Sequence, residues 1–361
     1  MSIKQIKDSF YIKLAYQQAE INLGSTSTNP SVGAVIVKNN SVISSARTSL
    51  NGRPHAESNA FKKKLNYKNS DLYVTLEPCS HYGKTQPCTK KIISKNINRV
   101  IFSINDSDPR SKNLASKVLT KKKINVKRFI LRDFAKNFYK DYFIHHSKEL
   151  PFVDGKLAVS KNFFSINKKK KWITNKKSRK VANFLRSKYD CLLTTSKTIN
   201  DDNPQLNCRI EGLEKKSPDI IILDRLFNVK KNSLIFKRNT MKIHILTTMN
   251  DFSKEQFFKK MGIKVIKIMK TNNHSADLKN IFYLVKKLGF KRILVESGMT
   301  FLDELLKYNL IKNFYLFKSS LNLGKEGFNN RNTTYLKKIN LSDKNKIKVN
   351  LEGDSLYKVK I

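Results

Sequence analysis

The sequence predicts a two-domain α/β protein. The chain has 361 residues, more than one domain of average size contains, and in both halves apolar runs typical of strands alternate with segments of helical periodicity. Such alternation is typical of a sheet covered by helices. The first domain is assigned to residues 1–148 and the second to residues 151–361, because Glu149-Leu150-Pro151 forms the best boundary between the two alternating series.

The elements of the first half follow from the spacing of its apolar residues. A helix over residues 4–23 is expected to end at Gly24, where a polar run follows. The next predicted elements are a hairpin of residues 32–37 and 42–45, a helix from residue 56, a strand of 72–76, a helix of 90–95, a strand of 100–104, a helix of 114–121, a strand of 126–130 and a closing helix of 133–148. The strand of 72–76 delivers Glu77 and Cys79 at its carboxyl end.

The second half restarts the alternation and so predicts a second α/β domain with room for a dinucleotide. Strands are predicted over residues 152–159, 191–195, 220–223, 243–247, 264–268 and 293–296, with terminal strands over 346–351 and 357–361. Helices are predicted over residues 176–188, 255–260, 278–288 and 301–307.

The residue types that carry chemistry concentrate between residues 55 and 88. His55, Cys79 and Cys88 supply one imidazole and two thiolates, a ligand set that zinc takes when a fourth position stays open for water. Glu57 lies two residues after His55, where a carboxylate can move protons without binding the metal. Since zinc lowers the pKa of its water to about 7, the pattern His-x-Glu followed by Pro-Cys predicts a zinc deaminase with Glu57 as proton shuttle.

Two plainer interpretations compete with the catalytic one. A histidine near a cysteine pair often packs in a core, and the same three ligands form a structural zinc site if a fourth, such as His81, completes it. Glu57 and Pro78 favour the catalytic interpretation, because both stand where the deaminase signature requires them.

The formal net charge of +44, from 72 Lys+Arg against 28 Asp+Glu, is extreme. Such a charge suits polyanions, but the basic residues are scattered and accompany no recognisable nucleic-acid-binding module. This pattern favours a Lys- and Asn-rich compositional bias and disfavours nucleic acid as a partner. Anionic small-molecule ligands would still gain from the positive field.

The sequence predicts a cytoplasmic enzyme. The N-terminus lacks the apolar core and cleavage site of a signal peptide, and no apolar run is long enough to span a bilayer, so no membrane partner is expected. Cys191 and Cys208 are expected as free thiols, which suits a reducing compartment. The oligomeric state stays open, with a homo-oligomer among the options.

The spacing of the two zinc-motif cysteines indicates which kind of deaminase the sequence resembles. Nucleic-acid deaminases of this signature have two residues between the cysteines, whereas eight separate Cys79 from Cys88. The run Pro-Cys-Ser-His-Tyr-Gly-Lys-Thr-Gln-Pro-Cys resembles the bifunctional deaminase/reductase family of riboflavin biosynthesis, whose reductase motifs follow in order in the second half. The resemblance implies a cytidine-deaminase-like three-layer α/β/α domain followed by a dihydrofolate-reductase-like α/β domain. It also implies one Zn²⁺ per chain and NADPH as cofactors.

The same resemblance implies a reaction and a set of site residues. A phosphoribosylamino-pyrimidine would be deaminated in the first domain, and NADPH would reduce its ribose to a ribityl chain in the second. Asn29, Lys84 and Asp106 would contact the substrate of the deaminase. The positions matched to the reductase are Arg186, Leu206, Arg209 and Glu296 for the substrate, and Ala158, Trp172, Thr198, Asp202, Gly298, Met299, Thr300 and Phe301 for NADPH.

The chain departs from the family pattern in both halves. In the first, Thr48 stands where the family has a pocket histidine, and Asp108 alters an Asp-Pro-Asn-Pro run. In the second, a Ser-Leu-Asp-Gly run is Ser160-Lys161-Asn162-Phe163, Lys170 replaces a serine, and Ser297 and Met299 replace a glycine and a proline. Two alternatives therefore stay open: a monofunctional deaminase with a degenerate reductase domain, and an RNA-binding enzyme that deaminates a base.

Overall fold

The computed structural model describes residues 3–145, 150–169, 172–237, 241–331 and 334–361. The chain divides into two compact units, Met1–Glu149 and Leu150–Ile361. Each unit has its own main sheet and its own hydrophobic core. Across the described ranges, no helix combines the length and the apolar character needed to cross a membrane.

The N-terminal unit is built on a five-stranded sheet in the order β2-β1-β3-β4-β5. Its elements are α1 (Ile3–Ile21), β1 (Gly33–Lys38), β2 (Ser41–Arg47), α2 (Ala56–Ala60), β3 (Asp71–Val74), α3 (Cys88–Ser94), β4 (Arg99–Phe102), α4 (Ala115–Thr120), β5 (Asn125–Arg128), α5 (Arg132–Phe138) and α6 (Lys140–His145). Strand β1 is antiparallel to β2 and β3, whereas β3, β4 and β5 are parallel. The carboxyl ends of β3 and β4 therefore meet at one edge of the sheet.

Helix α1 lies directly against β1, and the glycine at the start of the strand makes this possible. A Cβ on Gly33 would lie 1.8 Å from the carbonyl oxygen of Ala15 and 2.9 Å from the amide nitrogen of Ala19. Ala15 and Ala19 are themselves fully buried. Small residues on both elements thus let the two backbones touch, and this contact fixes the turn that precedes β1.

The closing helix of this unit was expected to be continuous over residues 133–148, and this prediction is wrong. The structure has two helices, α5 and α6, because Tyr139 leaves the helical conformation at φ −95° and ψ 10°. Its ring is buried, and its hydroxyl donates to the carbonyl oxygen of Ser31 at 3.1 Å. The last three residues of the expected helix, 146–148, lie outside the described part of the chain.

The C-terminal unit is built on an eight-stranded sheet in the order β11-β10-β9-β8-β12-β6-β13-β15, beside a two-stranded β7-β14 ribbon. Its elements are β6 (Phe152–Val159), β7 (Phe164–Asn167), α7 (Lys176–Arg186), β8 (Cys191–Thr195), α8 (Ser196–Asp202), β9 (Asp219–Leu223), β10 (Ile243–Thr247), α9 (Phe252–Lys260), β11 (Lys264–Lys267), α10 (His274–Lys287), β12 (Arg292–Glu296), α11 (Met299–Lys307), β13 (Asn313–Lys318), β14 (Gly327–Asn330) and β15 (Ser355–Lys360). All neighbours in the large sheet are parallel except β13 and β15. The carboxyl ends of β6, β8 and β12 therefore share one edge.

One predicted strand of this unit is wrong, and four of the α-helices and strands given above were not predicted. Residues 346–351 form no strand: beside β15 they make only an isolated bridge from Lys346 to Tyr357 and a hydrogen bond from the N–H of Ile347 to the carbonyl oxygen of Leu356 at 2.8 Å, which do not continue into a ladder. Strand β13 was missed although five of its six residues are buried. Helix α8 and the short strands β7 and β14 were also missed, because their few residues carry no clear periodicity.

Gly33→Ala is expected to destabilise the N-terminal unit by about 1–3 kcal/mol, because a methyl group cannot fit between two touching backbones. Urea unfolding followed by circular dichroism would measure the change. The matched control is Gly324→Ala, where an added Cβ meets no atom within 4 Å and the change should stay within about 0.5 kcal/mol. Equal unfolding midpoints for both variants would contradict the close approach of α1 to β1.

Candidate active sites

The zinc motif is assembled from one strand end and two helix starts. His55 is the N-cap residue of α2, and Cys88 is the first residue of α3. Cys79 follows β3 in a segment joined to the segment after β4 by a hydrogen bond from the N–H of Glu77 to the carbonyl of Ile104 (2.9 Å). The chain thereby brings together three ligands that lie up to 33 residues apart.

The three predicted ligands fit a zinc ion in their present positions. The Nδ1 of His55 lies 3.6 Å from the Sγ of Cys79 and 3.4 Å from the Sγ of Cys88. All three ligand atoms lie within 4.8 Å of one another. Tetrahedral zinc, with Zn–S of about 2.3 Å and Zn–N of about 2.0–2.1 Å, would hold nitrogen and sulfur about 3.6 Å apart.

His81, considered as a fourth ligand of a structural site, is engaged elsewhere. Its Nδ1 lies 2.7 Å from the hydroxyl of Ser111, and it does not belong to the ligand group of His55, Cys79 and Cys88. The three-ligand set therefore keeps the open position that a catalytic zinc site needs.

Burial, hydrogen bonds and neighbouring charges shift the pKa values of Cys79 and Glu57. Hydrogen bonding with Cys88 lowers the pKa of Cys79 to about 4, against the opposing effect of burial, so one thiolate is available at neutral pH. Burial raises the pKa of the fully enclosed Glu57 to about 7, although the nearby His55 lowers it. A carboxyl group with a pKa near 7 can both accept and donate a proton under physiological conditions.

A cleft opens beside the ligands and Glu57. Its other lining residues are Asn29, Pro30, Val32, Thr48, Arg53, Leu76, Glu77, His81, Asp106, Asp108, Arg110 and Tyr142. Asn29 donates from Nδ2 to the carbonyl of Gly52 at 2.8 Å, and Asp106 accepts from the hydroxyl of Tyr142 at 2.8 Å. Two residues predicted to contact substrate, Asn29 and Asp106, thus lie in one cleft with Glu57. The third, Lys84, is exposed on the loop between the two cysteines.

Glu77 fixes the loop after β4, which forms one side of this cleft. Its two carboxylate oxygens accept hydrogen bonds from the backbone N–H groups of Asp106, Asn113 and Ala115, each at 3.0 Å. The side chain is 3% exposed, so these bonds satisfy a carboxylate that burial would otherwise penalise. Glu77 therefore ties the segment carrying Cys79 to the loop carrying Asp106.

The two departures from the family pattern are both accommodated in this cleft. Thr48 is buried, and its hydroxyl accepts a hydrogen bond from the N–H of Val32 at 3.0 Å. Asp108 binds the guanidinium of Arg110 through both oxygens, with a shortest distance of 2.6 Å. The hydrogen bond from Arg110 lowers the pKa of Asp108 to about 2, so the pair is internally neutral.

Among the polar and charged lining residues, Arg53, Glu77, Arg110 and Tyr142 were not predicted as site residues. Arg53 stands two residues before His55, close enough in sequence to be considered. Tyr142 comes from α6, far along the chain, and only tertiary packing brings it to Asp106. No spacing rule in the sequence predicts such a contact.

In the C-terminal unit, two predicted substrate residues bind each other. The Nε and Nη2 of Arg186 lie 2.6 and 2.9 Å from the two carboxylate oxygens of Glu296, and the ammonium of Lys156 lies 3.5 Å from the same carboxylate. Although burial alone would raise the pKa of Glu296, Arg186 and Lys156 lower it to about 2. Arg186 also donates to the carbonyl of Asn207 at 3.1 Å, and Arg209 donates to the Asn207 side chain at 2.8 Å.

The start of α11 offers a place for the phosphates of a dinucleotide. A Cβ on its N-cap residue, Gly298, would meet no atom within 4 Å, and no side chain caps the helix. The hydroxyls of Thr195 and Thr198 lie 3.1 and 3.3 Å from that of Ser297. Free backbone N–H groups at a helix start bind phosphate, and neighbouring hydroxyls can add hydrogen bonds. These residues therefore fit NADPH.

The other predicted cofactor positions lie in varied surroundings. Ala158 is half-buried on β6, Asp202 ends α8 and is exposed, and Trp172 is 54% exposed with its ring 4.7 Å from the guanidinium of Arg179. On α11, Thr300 is exposed, Phe301 is half-buried, and Met299 packs into the core. Met299 could therefore meet a ligand only through its backbone.

The altered stretch Ser160-Lys161-Asn162-Phe163 is an ordered turn. Ser160 accepts the N–H of Phe164 at 2.9 Å and donates to Asn162 at 2.8 Å. Phe163 adopts a left-handed φ of 68° where the family has glycine, and the cations of Lys318 and Arg331 lie 4.4 and 4.8 Å from its ring centre. Leu206, a predicted substrate residue, is also left-handed and packs in a core. Lys170 lies outside the described residues.

Comparisons with known proteins agree for both units. Residues 5–104 match the zinc-binding region of cytidine and deoxycytidylate deaminases, and residues 153–347 match the RibD C-terminal domain. The riboflavin biosynthesis protein RibD of Aquifex aeolicus is 33% identical over 86% of both chains, and that of Bacillus amyloliquefaciens is 30% identical over 88% of this chain and 85% of its own. The crystal structure of a diaminohydroxyphosphoribosylaminopyrimidine deaminase/5-amino-6-(5-phosphoribosylamino)uracil reductase from Thermotoga maritima superposes with a TM-score of 0.81 over 99% of both chains, at 26% identity.

The purified protein is expected to contain about one zinc ion per chain, because one complete ligand set is present. Cys88→Ser should reduce the zinc content severalfold, since a hydroxyl is a poor substitute for a thiolate ligand. Cys208→Ala, which removes a thiol from the other unit, should leave the zinc content unchanged. Atomic absorption on the three proteins gives the answer, and full zinc occupancy in Cys88→Ser would rule out Cys88 as a ligand.

Proposed function

This chain belongs to the RibD family of bifunctional riboflavin-biosynthesis deaminase/reductases, and we propose that it performs the two reactions named for its Thermotoga relative. The N-terminal unit hydrolyses an amino group from the diaminohydroxyphosphoribosylaminopyrimidine. The C-terminal unit reduces the phosphoribosyl group of the deaminated product to a ribityl group with NADPH. The observation that supports the first step most directly is the enclosed Glu57 beside three ligand atoms within 4.8 Å of one another.

In the deaminase, His55, Cys79 and Cys88 would hold the zinc ion. When bound, zinc supplies the Lewis acidity that brings the pKa of a coordinated water to about 7. The carboxylate of Glu57 would accept a proton from the attacking water and return it to the amino group that leaves as ammonia. Its pKa of about 7 suits both transfers.

The cleft residues would orient the pyrimidine beside Glu57. Asp106 is held in place by the hydroxyl of Tyr142 and by the loop that Glu77 binds. Asn29 is fixed by its hydrogen bond to Gly52. Side chains held by such bonds lose little freedom when substrate arrives, so the reacting carbon can be placed accurately.

In the reductase, NADPH supplies the hydride. The backbone N–H groups at the start of α11 and the hydroxyls of Thr195, Thr198 and Ser297 would bind it, while Ala158, Trp172 and Asp202 would contact other parts of the cofactor. Arg186, Leu206, Arg209 and Glu296 would position the substrate. The Arg186–Glu296 ion pair would keep these two side chains in place. It offers the substrate little net charge, because the charge of each group is balanced by the other.

Both halves of the chain match their family, so the expectation of a two-step enzyme with zinc and NADPH is confirmed, and neither alternative function gains support. Family membership also implies that the small-molecule partner is a phosphorylated pyrimidine.

We place the enzyme in the cytoplasm, because Cys191 and Cys208, the cysteines outside the zinc motif, are free thiols and such thiols persist in a reducing compartment.

Glu57→Ala is expected to retain zinc and to lower ammonia release by roughly 10²–10⁴-fold, the usual contribution of general acid–base catalysis. The assay follows ammonia from the diamino-pyrimidine substrate and then NADPH oxidation. NADPH oxidation with already deaminated substrate should be unaffected. Asp133→Ala, which removes a carboxylate with 96% side-chain exposure, is the control. Near-normal turnover in zinc-loaded Glu57→Ala would refute the proton-transfer role.

Arg209→Ala is expected to lower kcat/KM for reduction by about tenfold or more, the effect of losing a hydrogen bond to a charged group, and to spare ammonia release. Arg209 is exposed and joined to Asn207, so its loss should not unfold the unit. The control is Lys215→Ala, which removes an exposed cation from the same connecting segment. Equal loss of both activities would argue against separate sites.

A further inference from the structure

Arg53 forms part of the wall of the deaminase cleft. It is half-buried and lies in the same lining as His55 and Glu57. Its Nη1 donates to the hydroxyl of Thr85 at 2.6 Å, and its Nη2 lies 3.7 Å from where a Cβ on Gly83 would stand. The guanidinium therefore lies along the loop of residues 83–85, which also carries Lys84.

The charge of Arg53 is available to a ligand. Within the described ranges Arg53 forms no ion pair, whereas the other arginine of the cleft, Arg110, is bound by Asp108. Because Lys and Arg outnumber Asp and Glu in this chain by 72 to 28, a basic side chain without an acidic partner is not unusual by itself. Arg53 is distinguished by three features together: within the described residues its guanidinium has no carboxylate partner, its side chain is partly buried, and it lies in the cleft lining.

The charged residues around the cleft favour one orientation of a bound anionic ligand. On the side of the cleft formed by the segment after β4, Asp106 carries a carboxylate, whereas the carboxylate of Asp108 is balanced by Arg110. Arg53 lies in the cleft lining beside the loop between Cys79 and Cys88, and the exposed Lys84 on that loop adds a second positive charge nearby. A ligand whose ring lies at Glu57 would place a phosphate toward Arg53, away from the Asp106 carboxylate.

We propose that Arg53 is a specificity-determining residue of the deaminase, which binds the phosphate of the substrate with its guanidinium fork. The proposal rests on the proposed function of this cleft. Arginine can bind two phosphate oxygens at once, whereas Lys84 acts as a point charge. The hydrogen bond to Thr85 uses one of five N–H donors and holds the guanidinium in place. Arg53 thereby discriminates the phosphorylated pyrimidine from its dephosphorylated form.

The test compares ammonia release from the phosphorylated substrate and from the same compound treated with phosphatase, using full-length, zinc-loaded protein. The variants are Arg53→Ala, Arg53→Lys and the control Arg128→Ala, which removes an exposed arginine from edge strand β5. Arg53→Ala should raise KM for the phosphorylated substrate about tenfold to a hundredfold and leave kcat/KM for the dephosphorylated compound unchanged. Arg53→Lys should recover part of the loss, and ribose 5-phosphate should inhibit Arg53→Ala correspondingly less.

Four results would overturn the proposal. Equal losses on both compounds, or loss of zinc in Arg53→Ala, would mean that Arg53 only supports the loop that carries Cys88. Unchanged kinetics in Arg53→Ala would exclude it from substrate binding. Equal wild-type activity on both compounds would show that the deaminase does not recognise phosphate. Absence of wild-type ammonia release from either compound is a separate result, since it would refute the proposed function itself and this inference with it.

Discussion

Both sites depend on one geometric constraint: parallel strands deliver their carboxyl ends to the same edge of a sheet. In the N-terminal unit β3 and β4 place the cysteine segment beside the Asp106 loop, and Glu77 then joins the two with three hydrogen bonds. In the C-terminal unit β6, β8 and β12 place Lys156, Thr195 and Glu296 near one edge. The same rule makes such edges the usual location of ligands in α/β proteins.

The two sites use buried charge in opposite ways. Glu57 is enclosed and forms no ion pair within the described parts of the chain, so burial raises its pKa to about 7 and leaves it able to exchange protons. Glu296 is equally buried but binds Arg186 and lies near Lys156, which lower its pKa to about 2 and keep it ionised. One carboxylate is thus suited to chemistry and the other to holding a site in shape. The difference comes from the partners, since both residues are buried glutamates.

The residues that depart from the family pattern are accommodated by local contacts. Thr48 turns its hydroxyl to the backbone of Val32, and Asp108 acquires Arg110 as a partner two residues later. Phe163 adopts a left-handed conformation that costs a non-glycine residue about 1–2 kcal/mol, and contacts with Lys318 and Arg331 offset part of that cost. The changes are local, and the ligand sets on either side of them are preserved.

The two α/β series, the candidate zinc ligands and the candidate proton shuttle Glu57 could be predicted from the sequence alone, because these predictions depend on residue type and short spacing. It also indicated the order of the reductase residues, although not that Arg186 and Glu296 bind each other across 110 positions. The contact of Tyr142 with Asp106, the position of Arg53 along the loop of Lys84 and the pairing of β13 with β15 follow only from the tertiary structure. Such contacts join segments far apart in the chain, so packing of the whole sheet sets them and local periodicity carries no trace of them.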